Sequence, residues 1–145
     1  MLNSLKLWIT ALLVFPALDY IWVFCINNHF YFENLDHMDM RSNQFHQLCP
    51  LLIPASVVYV LLASALIYFV LPKVEVSGSL LKSFLWGAFL GLIIYGVCDL
   101  TNYSLLRRWS LSLTLVDLCW GTFLSGVVST LLKFVRDFKP KKSKA

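Results

Sequence analysis

Charged side chains are scarce in this sequence of 145 residues. Asp, Glu, Lys and Arg make up only 14% of the chain, whereas hydrophobic residues make up 59%. A soluble domain carries about 25% charged residues, and its core could not bury so much apolar sequence. Together with a mean hydropathy of +0.72, this composition argues against an ordinary soluble protein. It indicates that a lipid bilayer solvates most of the chain.

Two sequence signals are also missing. The four cysteines, at positions 25, 49, 98 and 119, form no C-x-x-C pair, which argues against a zinc ribbon or a thioredoxin-type motif. No resident metal or cofactor is predicted. The apolar run that begins after Lys6 resembles a signal peptide, but no small-x-small cleavage site follows it. We therefore predict that this run is an uncleaved first membrane span.

Four long apolar runs are present, at about 5–26, 48–71, 80–102 and 111–135. Each has about 20 residues or more, which is enough to cross roughly 30 Å of hydrocarbon as an α-helix. The sequence therefore predicts an all-α protein, a bundle of four transmembrane helices in a single domain over 1–145. A basic tail is predicted at 136–145.

Lysine and arginine are unevenly distributed between the two ends of this predicted bundle. If both termini are cytoplasmic, nine of them lie inside, and only Arg41, Arg107 and Arg108 lie outside. The positive-inside rule therefore predicts an N-in, C-in, multi-pass protein of the cell (inner) membrane. We interpret the cluster of basic residues from Lys133 to the C-terminus as an anchor to anionic lipid headgroups, and we predict no nucleic-acid partner.

Three carboxylates, Asp19, Asp99 and Asp117, lie within the apolar runs. Ionisable groups at membrane depth are costly and usually functional. The alternation of the spans places all three in the outer half of the membrane, so we predict an acidic cluster. Such a cluster needs either protonation of at least one carboxylate or a bound cation. The alternative is that Asp117 only begins the fourth span, where an acid is favourable, and that Asp99 helps to end the third.

Small residues and acids repeat at a spacing of four in the last two spans. The two stripes are Gly87-Gly91-Tyr95-Asp99 and Asp117-Gly121-Ser125-Ser129. Antiparallel packing of these stripes would bring Asp99 and Asp117 together. In the second span, Ser56, Ser64 and Tyr68 share one face, which we predict to be turned towards other helices.

The longest polar stretch, 27–47, places His29, Glu33 and His37 at a spacing of four. Histidine and glutamate are good metal ligands, so a metal site is conceivable. We favour the simpler interpretation, a solvated helix at the membrane surface.

Several short motifs resemble an uncharacterised family of small four-span bacterial membrane proteins, a domain of unknown function. The motifs are Tyr95-Gly96-x-x-Asp99-Leu100-Thr101-Asn102, Trp109, Asp117-x-x-Trp120-Gly121 and Leu18-Asp19-x-x-Trp22. The resemblance extends over about 5–135. It implies four helices and a polar site built from Asp19, Asp99, Asn102 and Asp117, and it implies no reaction.

Two functional hypotheses place chemistry at this acidic site, so whether the protein is an enzyme stays open. In the first, the site binds or translocates a small amphipathic or cationic molecule, with or without protons, and Tyr95, Trp22 and Trp120 add aromatic contacts. Four spans are few for a monomeric transporter, so transport would require a homo-oligomer. In the second, the protein is an enzyme acting on lipid. Asp99 and Asp117 would serve as acid and base, and Arg107 and Arg108 would hold the headgroup.

Two further hypotheses need no such chemistry. The protein could be a structural or assembly partner in which the acids only hold helices together. Alternatively, Cys25 and Cys49 could form a redox-active pair, if the outside is oxidising.

Overall fold

Four helices long and apolar enough to cross a membrane make up most of the computed structural model. The structure describes residues 2–35, 48–76 and 78–138, apart from the side chains of residues 2–3 and 48–51. The candidate spans are Ser4–Ile26, Leu52–Lys73, Leu80–Leu105 and Leu111–Asp137. The described residues contain no strand. The predicted all-α fold with four spans is therefore confirmed.

The described residues form five α-helices, and two of these continue into tighter or wider helical turns. The helices are α1 (Leu2–Tyr20), α2 (Asn28–Leu35), α3 (Leu48–Ala65), α4 (Leu80–Leu105) and α5 (Leu111–Asp137). A π-helical segment, Ile21–Ile26, extends α1. Another, Leu66–Val70, extends α3 and leads into the 3₁₀ turn Leu71–Lys73. Wide π turns are often found next to functional sites, and the first of these begins two residues after Asp19.

Serine caps define where the last two helices begin. The Ser79 hydroxyl accepts a hydrogen bond from the Leu81 N–H at 3.2 Å, and the Ser110 hydroxyl accepts one from the Leu113 N–H at 3.0 Å. Such caps satisfy the free N–H groups of a helix start. Because α5 begins at Leu111 and α4 continues to Leu105, Asp117 and Asp99 both lie inside helices. Whether they also lie inside the membrane-spanning part of these helices, and not at its ends, stays a prediction.

The tightest packing in the bundle is the antiparallel pair of α4 and α5. Buried Ser83 and Ser129 face each other with hydroxyl oxygens 2.9 Å apart, and each hydroxyl is also bonded to the other residue's carbonyl. A Cβ at Gly91 would overlap the Gly121 carbonyl oxygen and lie 2.6 Å from the Ser125 hydroxyl. The two stripes of small residues therefore pack against each other in the predicted antiparallel register.

The apolar core lies where α1 and α3 pack on α5. Its fully buried members include Phe15 of α1, Leu66 of the α3 extension, and Leu124, Val128 and Leu132 of α5. Many other large apolar side chains are exposed, for example Ile53, Phe89 and Phe123. In a bilayer these exposed side chains contact lipid, which is as apolar as the core itself.

The face predicted for α3 is wrong. Ser56 and Tyr68 are exposed, and the hydroxyls of Ser56 and Ser64 donate to carbonyls of their own helix, Leu52 and Val60, both at 2.7 Å. A serine in a membrane helix can satisfy its hydroxyl on the preceding turn, so it needs no neighbouring helix. The buried face of α3 and its extension instead contains Leu62, Ala63, Leu66 and Val70.

The end of the bundle opposite the acids contains a closed ionic cluster. Lys133 is 1% exposed and pairs with Asp137, which also accepts from the Arg136 Nε at 2.9 Å. The Arg136 guanidinium donates to the carbonyls of Leu71, Val74 and Glu75 at 2.8, 2.9 and 3.2 Å. Arg136 thereby ties α5 to the backbone at the end of the second span and just beyond it.

Lys133 and Arg136 are therefore used inside the protein, contrary to their interpretation as headgroup anchors. The rest of the predicted basic tail, 139–145, lies outside the described residues.

Candidate functional site

Asp19 is half-buried near the end of α1 and is held by two neighbours from other helices. The Trp120 Nε1 of α5 donates to its Oδ1 at 2.7 Å, and the Tyr59 hydroxyl of α3 is also hydrogen-bonded to it. Both partners are neutral donors, so they stabilise the carboxylate by hydrogen bonding without neutralising its charge. Asp19 therefore links α1, α3 and α5.

Asp117 is half-buried in α5 and is held by the short helix α2. The Tyr31 hydroxyl donates to its Oδ1, and the Trp22 Nε1 donates to the Tyr31 oxygen at 3.1 Å. Burial, the hydrogen bond to Asp117 and the charge of that carboxylate raise the pKa of Tyr31 above its ordinary value. Tyr31 therefore stays protonated and acts as a fixed donor at neutral pH.

The two Asp-x-x-Trp motifs are connected crosswise. Trp120 of the second motif bonds to Asp19 of the first, and Trp22 of the first reaches Asp117 through Tyr31. The two indole rings stack, with centroids 4.4 Å apart and an interplanar angle of 1°. We call these five residues the crossed latch. It fastens α1 and α2 to α5.

Asp99 differs from the other two carboxylates. It is 4% exposed, and its Oδ2 has no hydrogen-bond partner within the described part of the chain. It lies within electrostatic range of Asp117. Tyr95, one turn earlier on α4, lies within the same range of Asp19, Asp99 and Asp117. The structure therefore brings the three predicted carboxylates to one end of the bundle, with an unsatisfied acceptor among them.

Glycine at position 121 allows Tyr95 to reach this position. A Cβ at Gly121 would overlap the Tyr95 ring, so the ring of Tyr95 lies directly on the backbone of α5. This close approach places an aromatic side chain of α4 beside the acids. The Y-G-x-x-D and D-x-x-W-G motifs are thus two sides of one contact.

The remaining predicted site residues lie nearer the surface. Asn102 is half-buried in the last turn of α4, where its carbonyl accepts from the Leu106 N–H at 2.8 Å. Arg107 and Arg108 are exposed in the turn between α4 and α5. Their predicted contact with a headgroup remains a prediction.

The helix α2 is not simply a solvated surface helix. The His29 Nδ1 and the Glu33 Oε2 lie 3.2 Å apart on its exposed side, but Tyr31 is buried against Asp117. The Ser110 hydroxyl donates to the Asn34 Oδ1 at 2.6 Å, which fixes α2 to the start of α5. His37 lies outside the described residues, and no metal-binding cluster is found among the described ones.

Tyr31 and Tyr59 are the site residues that sequence reasoning missed. Tyr59 lies in an apolar span, and Tyr31 lies in the polar stretch that separates two spans. Chemistry could have indicated Tyr59, although its position in the sequence did not. A tyrosine within a span has a hydroxyl that must find an acceptor, and the acids are the strongest acceptors at that depth.

An apolar groove lies beside the crossed latch and opens towards the lipid. Its volume is about 440 Å³. It is lined by Trp22, Leu115, Val116, Cys119, Trp120 and Phe123. The stacked indoles therefore separate a hydrophobic surface from the acidic cluster.

Three cysteines, Cys25, Cys98 and Cys119, are free thiols exposed on the helices. The proposed partner of Cys25 was Cys49, whose side chain lies outside the described residues. The redox hypothesis therefore gains no support from the described thiols.

Comparison with known proteins gives one match. No curated protein and no solved structure matches the chain. A family model, described as a predicted membrane protein, matches residues 4–133. This match covers the first three spans, the fourth span as far as Lys133, both Asp-x-x-Trp motifs and the three carboxylates. The chain therefore belongs to the predicted membrane protein family DUF2177.

Proposed function

We propose that this membrane protein binds a small amphipathic cation, in exchange for a proton, at Asp99. The observation that carries the proposal is the buried Asp99 Oδ2 without a hydrogen-bond partner in the described chain. A buried carboxylate without a partner is costly in its ionised form. Asp99 therefore holds a proton when the site is empty and becomes ionised when a cation binds.

The neighbouring carboxylates make the site selective for positive charge. Asp19 and Asp117 have neutral hydrogen-bond donors, Trp120, Tyr59 and Tyr31, so these two acids tolerate ionisation better than Asp99. Their negative charge at low dielectric attracts a cation and repels an anion. The same charge disfavours ionisation of Asp99 until a cation is present.

Aromatic surfaces at the site favour an organic cation. Tyr95 lies among the three acids, and Trp22 and Trp120 lie between them and the apolar groove. A cation over an aromatic face gains about 0.5–2 kcal/mol. The groove offers space for an apolar substituent on the same molecule.

The decisive experiment measures both the cation and the proton. The purified protein in phosphatidylcholine nanodiscs is titrated with tetraphenylphosphonium while infrared spectroscopy follows the band of protonated carboxyl groups. We expect that the band is present in the wild type, decreases on binding and is absent in Asp99→Asn. We also expect Asp99→Asn to bind at least about tenfold more weakly, which corresponds to about 1.4 kcal/mol.

The matched control is Glu33→Gln, which makes the same acid-to-amide substitution at an exposed carboxylate near the same end. It should leave both the band and the affinity unchanged. The proposal is wrong if Asp99→Asn retains the band, or if it binds tetraphenylphosphonium as well as the wild type.

We further propose that the protein lies in the cell (inner) membrane with both termini in the cytoplasm. The distribution of lysine and arginine supports this orientation, since the end that carries Lys6, Lys73 and Lys82 is the more basic one. The acidic cluster would then open towards the outer leaflet. A C-terminal green fluorescent protein should fluoresce, whereas a C-terminal alkaline phosphatase should be inactive. The reverse result would invert the topology.

Translocation of the cation would require more than one copy of the chain, because four spans provide few surfaces for alternating access. Flux of tetraphenylphosphonium into proteoliposomes against a pH gradient tests this step separately from binding. Binding without flux would support a receptor or sensor site.

A second candidate is an enzyme acting on lipid, and it is favoured by the exposed Arg107 next to the acidic end. Asp99 and Asp117 would act as acid and base while the arginine holds a phosphate headgroup. Cells with Asp99→Asn or Arg107→Gln should then have an altered lipid profile. An unchanged profile in both would remove this candidate.

A further inference from the structure

A second groove lies at the other end of the bundle, on the outer face of α4. Its volume is about 490 Å³. It is lined by Ser79, Leu81, Lys82, Leu85, Trp86 and Phe89. From position 82 onwards these residues are three or four apart, so they share one face of the helix. All of them are exposed, which leaves this face to the bilayer.

Two ammonium groups lie at the mouth of this groove. Lys82 is part of its lining. The Lys73 Nζ lies 5.3 Å from the centroid of the Trp86 ring, so the link between α3 and α4 brings a second lysine to the same place. Within the described chain, the basic side chains found close to a carboxylate are those of His29, Lys133 and Arg136. Lys73 and Lys82 therefore keep their charges available for a ligand.

We propose that this groove is a binding site for an anionic phospholipid. The phosphate lies between Lys73 and Lys82, and an acyl chain lies over Leu85 and Phe89. The polarity of the groove runs along the membrane normal, from lysines at the helix end to apolar side chains deeper in the bilayer. From position 79 to 89 the helix rises about 15 Å, which matches much of one leaflet.

A phospholipid fits this gradient better than a helix of another protein would. A transmembrane partner helix packs on small residues that allow close approach, whereas this face has large, widely spaced side chains. A lipid also supplies the negative charge that two lysines at a membrane surface attract, at about 1 kcal/mol for each. The proposal is independent of the function proposed for Asp99.

Native mass spectrometry provides the test. The protein is released from nanodiscs that contain phosphatidylcholine and phosphatidylglycerol, and the retained lipids are counted. We expect the wild type to retain phosphatidylglycerol selectively, and we expect the double variant Lys73→Gln/Lys82→Gln to retain it about tenfold less well. The matched control is Lys6→Gln, since Lys6 is exposed at the same end but lies on α1.

A second variant tests the apolar part of the site without changing its charge. Leu85→Trp fills the groove and should also reduce retention of phosphatidylglycerol, while inorganic phosphate should not displace the lipid. The proposal is overturned if Lys6→Gln has the same effect as the double variant, because charge alone would then account for retention. It is also overturned if Leu85→Trp retains the lipid as the wild type does.

Discussion

The two ends of the bundle differ in how their buried charges are compensated. At one end, a single carboxylate, Asp137, is paired with two cations, Lys133 and Arg136, and the guanidinium also satisfies three carbonyls. At the other end, three carboxylates meet, and the hydrogen-bond donors found for Asp19 and Asp117 are neutral tryptophan and tyrosine side chains. In the first arrangement, opposite charges within the protein compensate each other. In the second, no cation was found among the hydrogen-bond donors of these carboxylates within the described residues.

This difference separates a structural cluster from a candidate binding site. A buried ion pair whose remaining polar groups are all satisfied gains nothing from an outside ligand. A group of acids that includes an unsatisfied acceptor gains free energy from any proton or cation that reaches it. Under the proposed function the acids form the binding site, whereas the basic cluster belongs to the fold.

The largest expected loss of stability comes from removing the carboxylate at the end of the bundle where the buried charges are paired. Asp137→Ala leaves the fully buried Lys133 without its carboxylate, so the free energy of unfolding should fall by about 3–5 kcal/mol. Thermal or denaturant unfolding in a mild detergent measures the change. Glu75→Ala is the control, because its side chain is exposed. Equal stability of the Asp137→Ala variant and the wild type would show that the cluster is not structural.

The seam between α4 and α5 is the line along which their two stripes of small residues pack. Overfilling this seam should have the next largest effect on stability. Gly91→Ala places a Cβ against the α5 backbone, so it should destabilise the protein by about 3 kcal/mol. Gly96→Ala lies on the same helix, but its Cβ would meet only Leu118 Cδ1 at 3.4 Å, so it should have little effect. If both variants unfold at the same temperature, the seam does not determine how the two helices pack.

The carboxylates at the acidic end of the bundle should respond unequally to the same substitution. Asp19→Ala removes the acceptor of Trp120 and should cost about 2 kcal/mol. Asp99→Ala removes a carboxylate that has an unsatisfied oxygen, so its cost should be clearly smaller. Parallel unfolding experiments on the two variants test this order. The reverse order would mean that Asp99, and not Asp19, holds the helices together.

The smallest effect on stability is expected from removing the Tyr31 hydroxyl of the crossed latch. Tyr31→Phe removes the hydrogen bond to Asp117 and should cost about 1 kcal/mol at neutral pH. Because the pKa of Tyr31 is raised above its ordinary value of 10.0, its contribution should persist up to about pH 10 and decline above it. Tyr20→Phe, at an exposed position, is the control and should change neither the stability nor its pH dependence.

Much of this architecture could be predicted from local sequence. The lengths of the apolar runs predict the four spans, and the spacing of four in Gly87-Gly91-Tyr95-Asp99 predicts the register of α4 on α5. Both predictions depend only on helix geometry and on the small size of glycine and serine. The three carboxylates could likewise be assigned to one end, because successive spans alternate in direction.

The wrong predictions concern which surfaces of the helices are buried. In a bilayer, the surface that contacts lipid is as apolar as the surface that contacts other helices. For α3, periodicity does not distinguish a face that contacts lipid from one that contacts helices, so it predicts the wrong surface for Ser56 and Tyr68. Arg136 was assigned to the headgroups because the carbonyls of Leu71, Val74 and Glu75 become its neighbours only when α3 and α5 pack. The pairing of Lys133 with Asp137, by contrast, could have been predicted from their spacing of four within α5.

Composition and helical periodicity were thus sufficient to determine the number of spans, the α4–α5 seam and the end at which the acids gather, because these follow from short-range geometry. Only the tertiary structure decided which acid is different. Asp19 and Asp117 acquire their donors from Trp120, Tyr59 and Tyr31, which lie on other helices. Asp99 keeps a buried oxygen without a donor among the described residues. The reason is physical: hydrogen-bond satisfaction at membrane depth depends on which helices meet, and sequence spacing within one helix does not encode that.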